Sequence, residues 1–212
     1  MTHCIAALLT VSGSGLHRGL HAATPARERL VLVVGDSMSA EYGLARGSGW
    51  VALLEKQLAG QKPPVRVVNA SVSGDTSAGG RSRLPALLAQ HRPSHVVLEL
   101  GGNDALRGLS LAATRDNLAA MARAVREAGA RLVVVGMQVP PNYGRQYTQD
   151  FAALFVSVAR EHQAELVPFL LAGVADGPEP EKLFQADRIH PSAQAQPAML
   201  ANVWPALQRS LR

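Results

Sequence analysis

A serine hydroxyl keeps its proton at neutral pH. It becomes a useful nucleophile only when an imidazole stands within hydrogen-bond reach and a third group fixes the imidazole's tautomer. Ser37, in Gly35-Asp36-Ser37-Met38-Ser39, offers the hydroxyl. Asp187-Arg188-Ile189-His190-Pro191, near the chain end, offers an Asp and a His three residues apart, able to face each other across one turn. Ser37, His190 and Asp187 are therefore the candidate catalytic groups for attack on a carbonyl. The tetrahedral oxyanion that follows needs preorganised donors. Gly74, in Ser71-Val72-Ser73-Gly74-Asp75-Thr76-Ser77, permits close backbone approach, and Asn103, in Gly101-Gly102-Asn103-Asp104, can donate from its amide. Both join the backbone N–H of Ser37 as candidate oxyanion donors.

Each residue type also has an ordinary role: a Ser after Gly-Asp caps a helix or shapes a turn, and a His before Pro can do the same. The combination favours catalysis. Asp36, Asp75 and Asp104 stand in the same segments, and three carboxylates on one rim could hold Mg²⁺ for phosphoryl transfer. That reading leaves Asn103 and the Asp187/His190 pair unexplained, and no Gly-x-x-x-x-Gly-Lys-Ser/Thr loop accompanies it. The three carboxylates are read instead as bonding to loop N–H groups. Cys4 is the single cysteine and no His-Glu-x-x-His pattern occurs, so neither a metal nor any other cofactor is expected. His91, His95 and His162 have no Asp at a matching interval and are assigned to surface or packing roles, as are Trp50 and Trp204 to packing.

These residues must be brought together by the elements between them. Leu30 to Val34, Val65 to Asn69, His95 to Leu100, Arg131 to Met137 and Glu165 to Phe169 are short, largely Val/Leu segments suited to strands buried on both faces. Helical spacing recurs between them, with Trp50, Leu53, Leu54 and Leu58 before Gly60 and Leu118, Met121, Ala122 and Val125 before Gly129. Leu84 to Gln90 and Phe151 to Glu161 read as helices too, as does a last segment from Pro191 to about Leu207 that Pro197 and Pro205 would shorten or kink. Alternating strands and helices imply right-handed crossovers and an α/β fold, a three-layer α/β/α sandwich on a five-stranded, mostly parallel, flavodoxin-like sheet. Such sheets bind ligands beyond the carboxyl ends of their strands, which is where the Ser37, Gly74 and Asn103 segments fall.

The chain of 212 residues, 47% apolar and 17% charged, is sized for one domain with its own core. Its formal net charge is +5, but the arginines are scattered and no aromatic platform is interleaved with them, so nucleic acid is not an expected partner. Apolar runs such as Leu30 to Gly35 fall far short of the ~20 residues of a spanning helix, and no membrane insertion is expected. Residues 1–29 differ in character: Cys4 to Val11 is a short apolar run followed by Gly13, Gly15, Gly19, Ala22 and Ala23. They are read as a leader, a signal peptide or disordered segment, before a domain over 30–212. The protein is accordingly expected to be periplasmic or secreted, cytoplasmic if the leader is uncleaved, and a monomer.

The Gly-x-Ser-x-Gly elbow of α/β-hydrolases is absent. The four blocks, Gly-Asp-Ser, Ser-x-Ser-Gly-Asp-x-Ser, Gly-Gly-Asn-Asp and Asp-x-x-His-Pro, resemble in order and interval those of the SGNH (GDSL-type) hydrolases. The resemblance covers roughly Leu30 to Leu207. It is closest to the bacterial thioesterase I, lysophospholipase and arylesterase subgroup, through Glu99-Leu100-Gly101-Gly102-Asn103-Asp104 with Leu106-Arg107-Gly108, and through Pro141-Asn142-Tyr143-Gly144-Arg145. It implies a serine hydrolase acting on carboxylic esters or acyl thioesters through an acyl-enzyme. Ser37 would be the nucleophile, Gly74 and Asn103 oxyanion donors, Asp187 and His190 the other triad members, and Asn142, Tyr143 and Arg145 substrate contacts. One position departs: Arg188 stands where the family generally carries a small or acidic residue, and a guanidinium there could pair with Asp187 and weaken its hold on His190. The alternative on the same fold is an inactive acyl- or carbohydrate-binding module.

Overall fold

Apart from Met1, the computed structural model describes residues 29–212, so the leader read over 1–29 lies outside the described residues except at its two ends. Five strands, β1 (Arg29–Gly35), β2 (Val65–Asn69), β3 (His95–Glu99), β4 (Arg131–Val135) and β5 (Glu165–Val167), form one sheet in the order β2-β1-β3-β4-β5. Every pairing is parallel. This is the expected flavodoxin-like order. Val31 lies opposite Val67 on one side and His95 on the other, and Val97 lies opposite Val133. The central strands are buried along nearly their whole length, which is why their sequences are apolar runs rather than alternations.

The helices are α1 (Trp50–Ala59), α2 (Ser77–His91), α3 (Gly102–Leu106), α4 (Leu111–Glu127), α5 (Arg145–Glu161) and α6 (Gln196–Ser210). α1 packs with α6, whereas α4 packs with both α2 and α5, giving a helical layer on each face. The core-facing stripe of α4 is Leu118, Met121, Ala122 and Val125, all buried. Full burial of one such Leu or Met stabilises the fold by about 1.5–3 kcal/mol. Phe151 and Phe155 of α5 meet edge to face with centroids 5.2 Å apart, closing the core beneath β4 and β5. Trp50 is wholly buried and Trp204 packs against the core, as expected.

Three helices differ from expectation. α2 begins seven residues earlier than Leu84, since 84 − 77 = 7. Thr76 caps it by accepting from the N–H of Gly79, and Gly80 sits so close to Leu100 that a Cβ would stand 2.2 Å from its Cδ1. The Gly79-Gly80 pair is a packing requirement there, outweighing poor helix propensity. α5 begins at Arg145 rather than Phe151. The last helix starts at Gln196 because Pro191 instead forms a bridge with Phe184, leaving a 3₁₀ turn at Ala193–Ala195 between them. Pro197 then falls in the first turn of α6, where its missing N–H costs nothing.

Candidate active site

β1, β2 and β3 end side by side, so the segments that follow them share one rim. The β1–β2 pairing is extended past the strand ends by the N–H of Ala70 to the Val33 carbonyl (2.8 Å) and of Val72 to the Gly35 carbonyl (3.0 Å). These bonds carry the Ser71–Ser77 loop alongside the Ser37 turn. Arg83 of α2 fastens both, donating to the Asp75 carboxylate (2.7 Å), to the Gly35 carbonyl (3.2 Å) and to the Ala70 carbonyl.

The carboxylates anticipated on this rim have separate partners. Asp36 accepts from the N–H of Met38 (3.0 Å) and the amide of Asn103 (3.0 Å). Asp75 accepts from the N–H of Thr76 (3.0 Å) and from Arg83. Asp104 accepts from the N–H of Ser77 (2.8 Å) and the hydroxyl of Thr114 (3.2 Å). Among the described residues no group of three or more His, Cys, Asp or Glu is arranged to hold a metal ion. The geometry therefore gives the Mg²⁺ reading no support.

Ser37 and His190 are 153 positions apart in sequence, yet His190 Nε2 lies 2.9 Å from Ser37 Oγ. The other ring nitrogen, Nδ1, lies 2.6 Å from Asp187 Oδ2. Asp187 Oδ1 accepts from the N–H groups of Ile189 (2.9 Å) and His190 (3.0 Å), so the turn itself orients the carboxylate. The N–H of His190, then its imidazole, then the N–H of Ile189 hold the Asp187 carboxyl down at about 2. The pairing with Asp187 that Arg188 could make is not formed: among the described residues Asp187 is ion-paired with His190, and its hydrogen bonds go to residues 189 and 190.

The candidate oxyanion donors are unequally placed. Gly74 adopts φ +77, a conformation costly for other residues. Neither its N–H nor that of Ser37 has an acceptor among the described residues. Asn103, at the start of the short α3, donates both amide hydrogens, one to Asp36 and one to the Asp75 carbonyl (2.9 Å). It is locked between the first and second loops.

Ser37, Asn103 and His190 line a cavity of about 620 Å³. Its wall is largely apolar, with Met137, Val139, Phe169, Leu171 and Phe184 prominent. Asn142, Tyr143 and Arg145 do not line it: they sit exposed on a 3₁₀ turn (Pro141–Tyr143) and at the start of α5. The same segment reaches the cavity through Pro140, Pro141 and Thr148 instead. Of the three unassigned histidines, His95 is buried and bonded to the Ser210 carbonyl (3.0 Å), and His162 has a nearly buried ring. Burial lowers the pKa of both.

Two groups have no counterpart in the sequence reading. The ring of Tyr42 lies 4.3 Å from that of His190, and Gln185 ties the two loops by donating to the carbonyls of Tyr42 (2.9 Å) and Pro191 (3.1 Å). Nothing local in the sequence marks that contact. Glu99, fully buried at the end of β3, accepts from the Ser39 hydroxyl (2.7 Å) and the N–H of Asp36 (3.3 Å), while its Oε1 has no partner. A Glu closing an otherwise apolar strand was the signal available. Burial, reinforced by the charge of Asp36, pushes the Glu99 carboxyl well above its usual range, and burial raises Asp36 to about 6 against the pull of the Met38 N–H and Asn103.

The sequence profile of the GDSL-like lipase/acylhydrolase family matches residues 33–197. Esterase TesA of Pseudomonas aeruginosa is 52% identical over 183 residues, 86% of this chain and 90% of that protein. Thioesterase 1/protease 1/lysophospholipase L1 of Escherichia coli K12 is 41% identical over 167 residues, 79% and 77% of the two chains. The crystal structure of the psychrotrophic esterase EstA from Pseudoalteromonas sp., inhibited by monoethylphosphonate, superposes with a TM-score of 0.80 at 35% identity, covering 87% of this chain and 99% of that one.

The buried acid pair predicts a pH dependence of stability. The native state holds protons on Asp36 and Glu99 more tightly than an unfolded chain with ordinary values of 3.8 and 4.5. Their contribution is thus complete at acid pH below those values and is lost as pH rises through about 6 and beyond. Glu99→Gln, which cannot ionise, should show a smaller fall in Tm than the parent between pH 4 and 8. Parallel Tm curves for the two proteins would contradict the assignment.

Proposed function

Because the chain belongs to the GDSL-like lipase/acylhydrolase family and is an SGNH-type ester hydrolase, we propose that Ser37, His190 and Asp187 carry out its reaction on an acyl ester or thioester bound in the 620 Å³ cavity. As an enzyme it is not the binding module the fold alone would also allow. The supporting observation is the unbroken hydrogen-bond chain from Asp187 Oδ2 through the imidazole to Ser37 Oγ, 2.6 and 2.9 Å long, opening onto that cavity.

Ser37 Oγ attacks the substrate carbonyl as His190 Nε2 takes its proton. The ionised Asp187 holds the proton on Nδ1 and stabilises the imidazolium that forms. The oxyanion is received by the N–H groups of Ser37 and Gly74, which have no other acceptor among the described residues, and by Asn103. To serve, Asn103 shares a hydrogen now held by Asp36 or the Asp75 carbonyl. Collapse of the tetrahedral intermediate expels the alcohol or thiol, protonated by His190, and leaves an acyl-Ser37 ester. Water, deprotonated by His190, then releases the acid. The acyl chain lies along Met137, Val139, Phe169 and Leu171, and Pro140, Pro141 and Thr148 replace Asn142, Tyr143 and Arg145 as the segment's contacts to substrate.

One further reading extends this to location. Residues 1–29 act as an export leader, which places the enzyme in the periplasm or outside the cell. N-terminal sequencing of the protein from its native host should find a start near Ala22-Ala23, and an intact Met1 would refute export. For the reaction itself, kinetics on p-nitrophenyl esters should show no turnover above background for Ser37→Ala at unchanged fold. Asn103→Ala should lose ~10² to 10³ in kcat, the usual effect of deleting an oxyanion donor. Substantial esterase activity in Ser37→Ala would overturn the proposal.

A further inference from the structure

Arg188 is a charged residue without a role in the mechanism above. It lines the same cavity as Ser37, Asn103 and His190, and it is the one Lys or Arg among the lining residues. Its backbone has φ +57, a left-handed conformation that disfavours any residue with a Cβ and that glycine would adopt without strain. Its N–H donates to the Gln185 carbonyl (2.9 Å), but its guanidinium has no hydrogen-bond or ion-pair partner among the described residues. Neighbouring Asp187 is committed to Ile189 and His190. The other acidic groups on the cavity wall are also engaged: Asp36 by Met38 and Asn103, and Asp176 by the N–H of Gly173 (2.5 Å). A long cation thus occupies a strained, exposed position on the cavity wall, and its guanidinium has no hydrogen-bond or ion-pair partner among the described residues to offset the strain.

Its place in the turn indicates which part of a substrate it meets. His190 Nε2 must lie next to the departing atom in order to protonate it. Arg188, two residues away on the same turn, therefore stands on the leaving-group side, whereas the mechanism proposed above gives the acyl chain to Met137, Val139, Phe169 and Leu171 of the same lining. We propose that Arg188 is a specificity-determining residue that binds a phosphate on the leaving group, so that the enzyme favours acyl compounds whose alcohol or thiol carries an anion. A guanidinium suits this task because its planar fork pairs with two phosphate oxygens. The proposal rests on the assignment of Ser37 and His190 made above.

The phosphate could belong to a nucleotide-bearing thiol or to a lipid headgroup, and matched pairs with one acyl chain separate the two. The thioester pair is octanoyl-CoA and octanoyl-N-acetylcysteamine. The ester pair is octanoyl lysophosphatidylglycerol and monooctanoylglycerol. The readout is the ratio of kcat/KM, anionic over neutral, in the parent, Arg188→Gln and Arg188→Lys. Arg188→Gln should lower the ratio about fivefold to tenfold in at least one pair, the worth of a charge-assisted hydrogen bond discounted for exposure. Arg188→Lys, which keeps the charge but loses the planar fork, should give a ratio between those of the parent and Arg188→Gln, and added salt should lower it in the parent. A fall confined to the thioester pair identifies the thiol source, and one confined to the ester pair the headgroup; either supports the proposal. Ratios unchanged by Arg188→Gln in both pairs overturn it. If the parent cleaves none of the four compounds, the Ser37 assignment fails and this inference with it, an outcome readable from the neutral members alone.

Discussion

The site depends on one constraint: a short turn near the end of the chain must present an imidazole to a hydroxyl near its beginning. Asp187 satisfies it by accepting three hydrogen bonds, from the N–H groups of residues 189 and 190 and from the imidazole Nδ1. The carboxylate that orients the ring is therefore itself oriented by the backbone of the ring's own turn. That arrangement explains why its pKa is held near 2 despite its exposure, and why it stays charged throughout the working pH range. The turn is in turn anchored to the body of the protein by the Phe184–Pro191 bridge and by Gln185, which reaches across to the Tyr42 carbonyl. Tyr42 covers the imidazole from that side.

The opposite half of the site is built by buried acids. Glu99 lies beneath the Ser37 turn, Asp36 reaches from that turn to Asn103, and Asp104 reaches from the third loop to Ser77. Glu99 ties the Ser37 turn to the end of β3, Asp36 ties it to Asn103, and Asp104 ties the third loop to the start of α2, all through N–H, amide or hydroxyl donors. Burying carboxyl groups disfavours their charged forms. Burial drives the Glu99 carboxyl well above its usual range, and it raises Asp36 to about 6 against the pull of the Met38 N–H and the Asn103 amide. Loops fixed in this way hold the N–H groups of Ser37 and Gly74 without an acceptor among the described residues, the kind of preorganised donor that the proposed mechanism calls for.

Much of this was legible in the residues themselves. Val/Leu segments without alternation marked strands buried on both faces, and the motif order put their carboxyl ends on one rim. The Asp187/His190 interval signalled a turn able to close on itself. Other features were hidden because they arise from long-range packing. The first turns of α2 fell outside the helix read from Leu84, because Gly79-Gly80 are poor helix formers; Gly80 is there because Leu100 leaves no room for a side chain. Asn142, Tyr143 and Arg145 have the residue types of ligand contacts, but the 3₁₀ turn and helix start that carry them leave them exposed outside the cavity lining. The Tyr42–His190 contact has no local mark at all, since the two residues meet only once the first and last loops are folded together.

Activation of Ser37 by His190 is tested most directly by reaction with an organophosphonate, which labels only activated serines, followed by peptide mass spectrometry. The parent protein should carry one adduct, on Ser37, and His190→Ala should be labelled at least about a hundredfold more slowly, the lower bound for general-base assistance. An adduct on another residue, or equal labelling rates with and without the imidazole, would contradict the account.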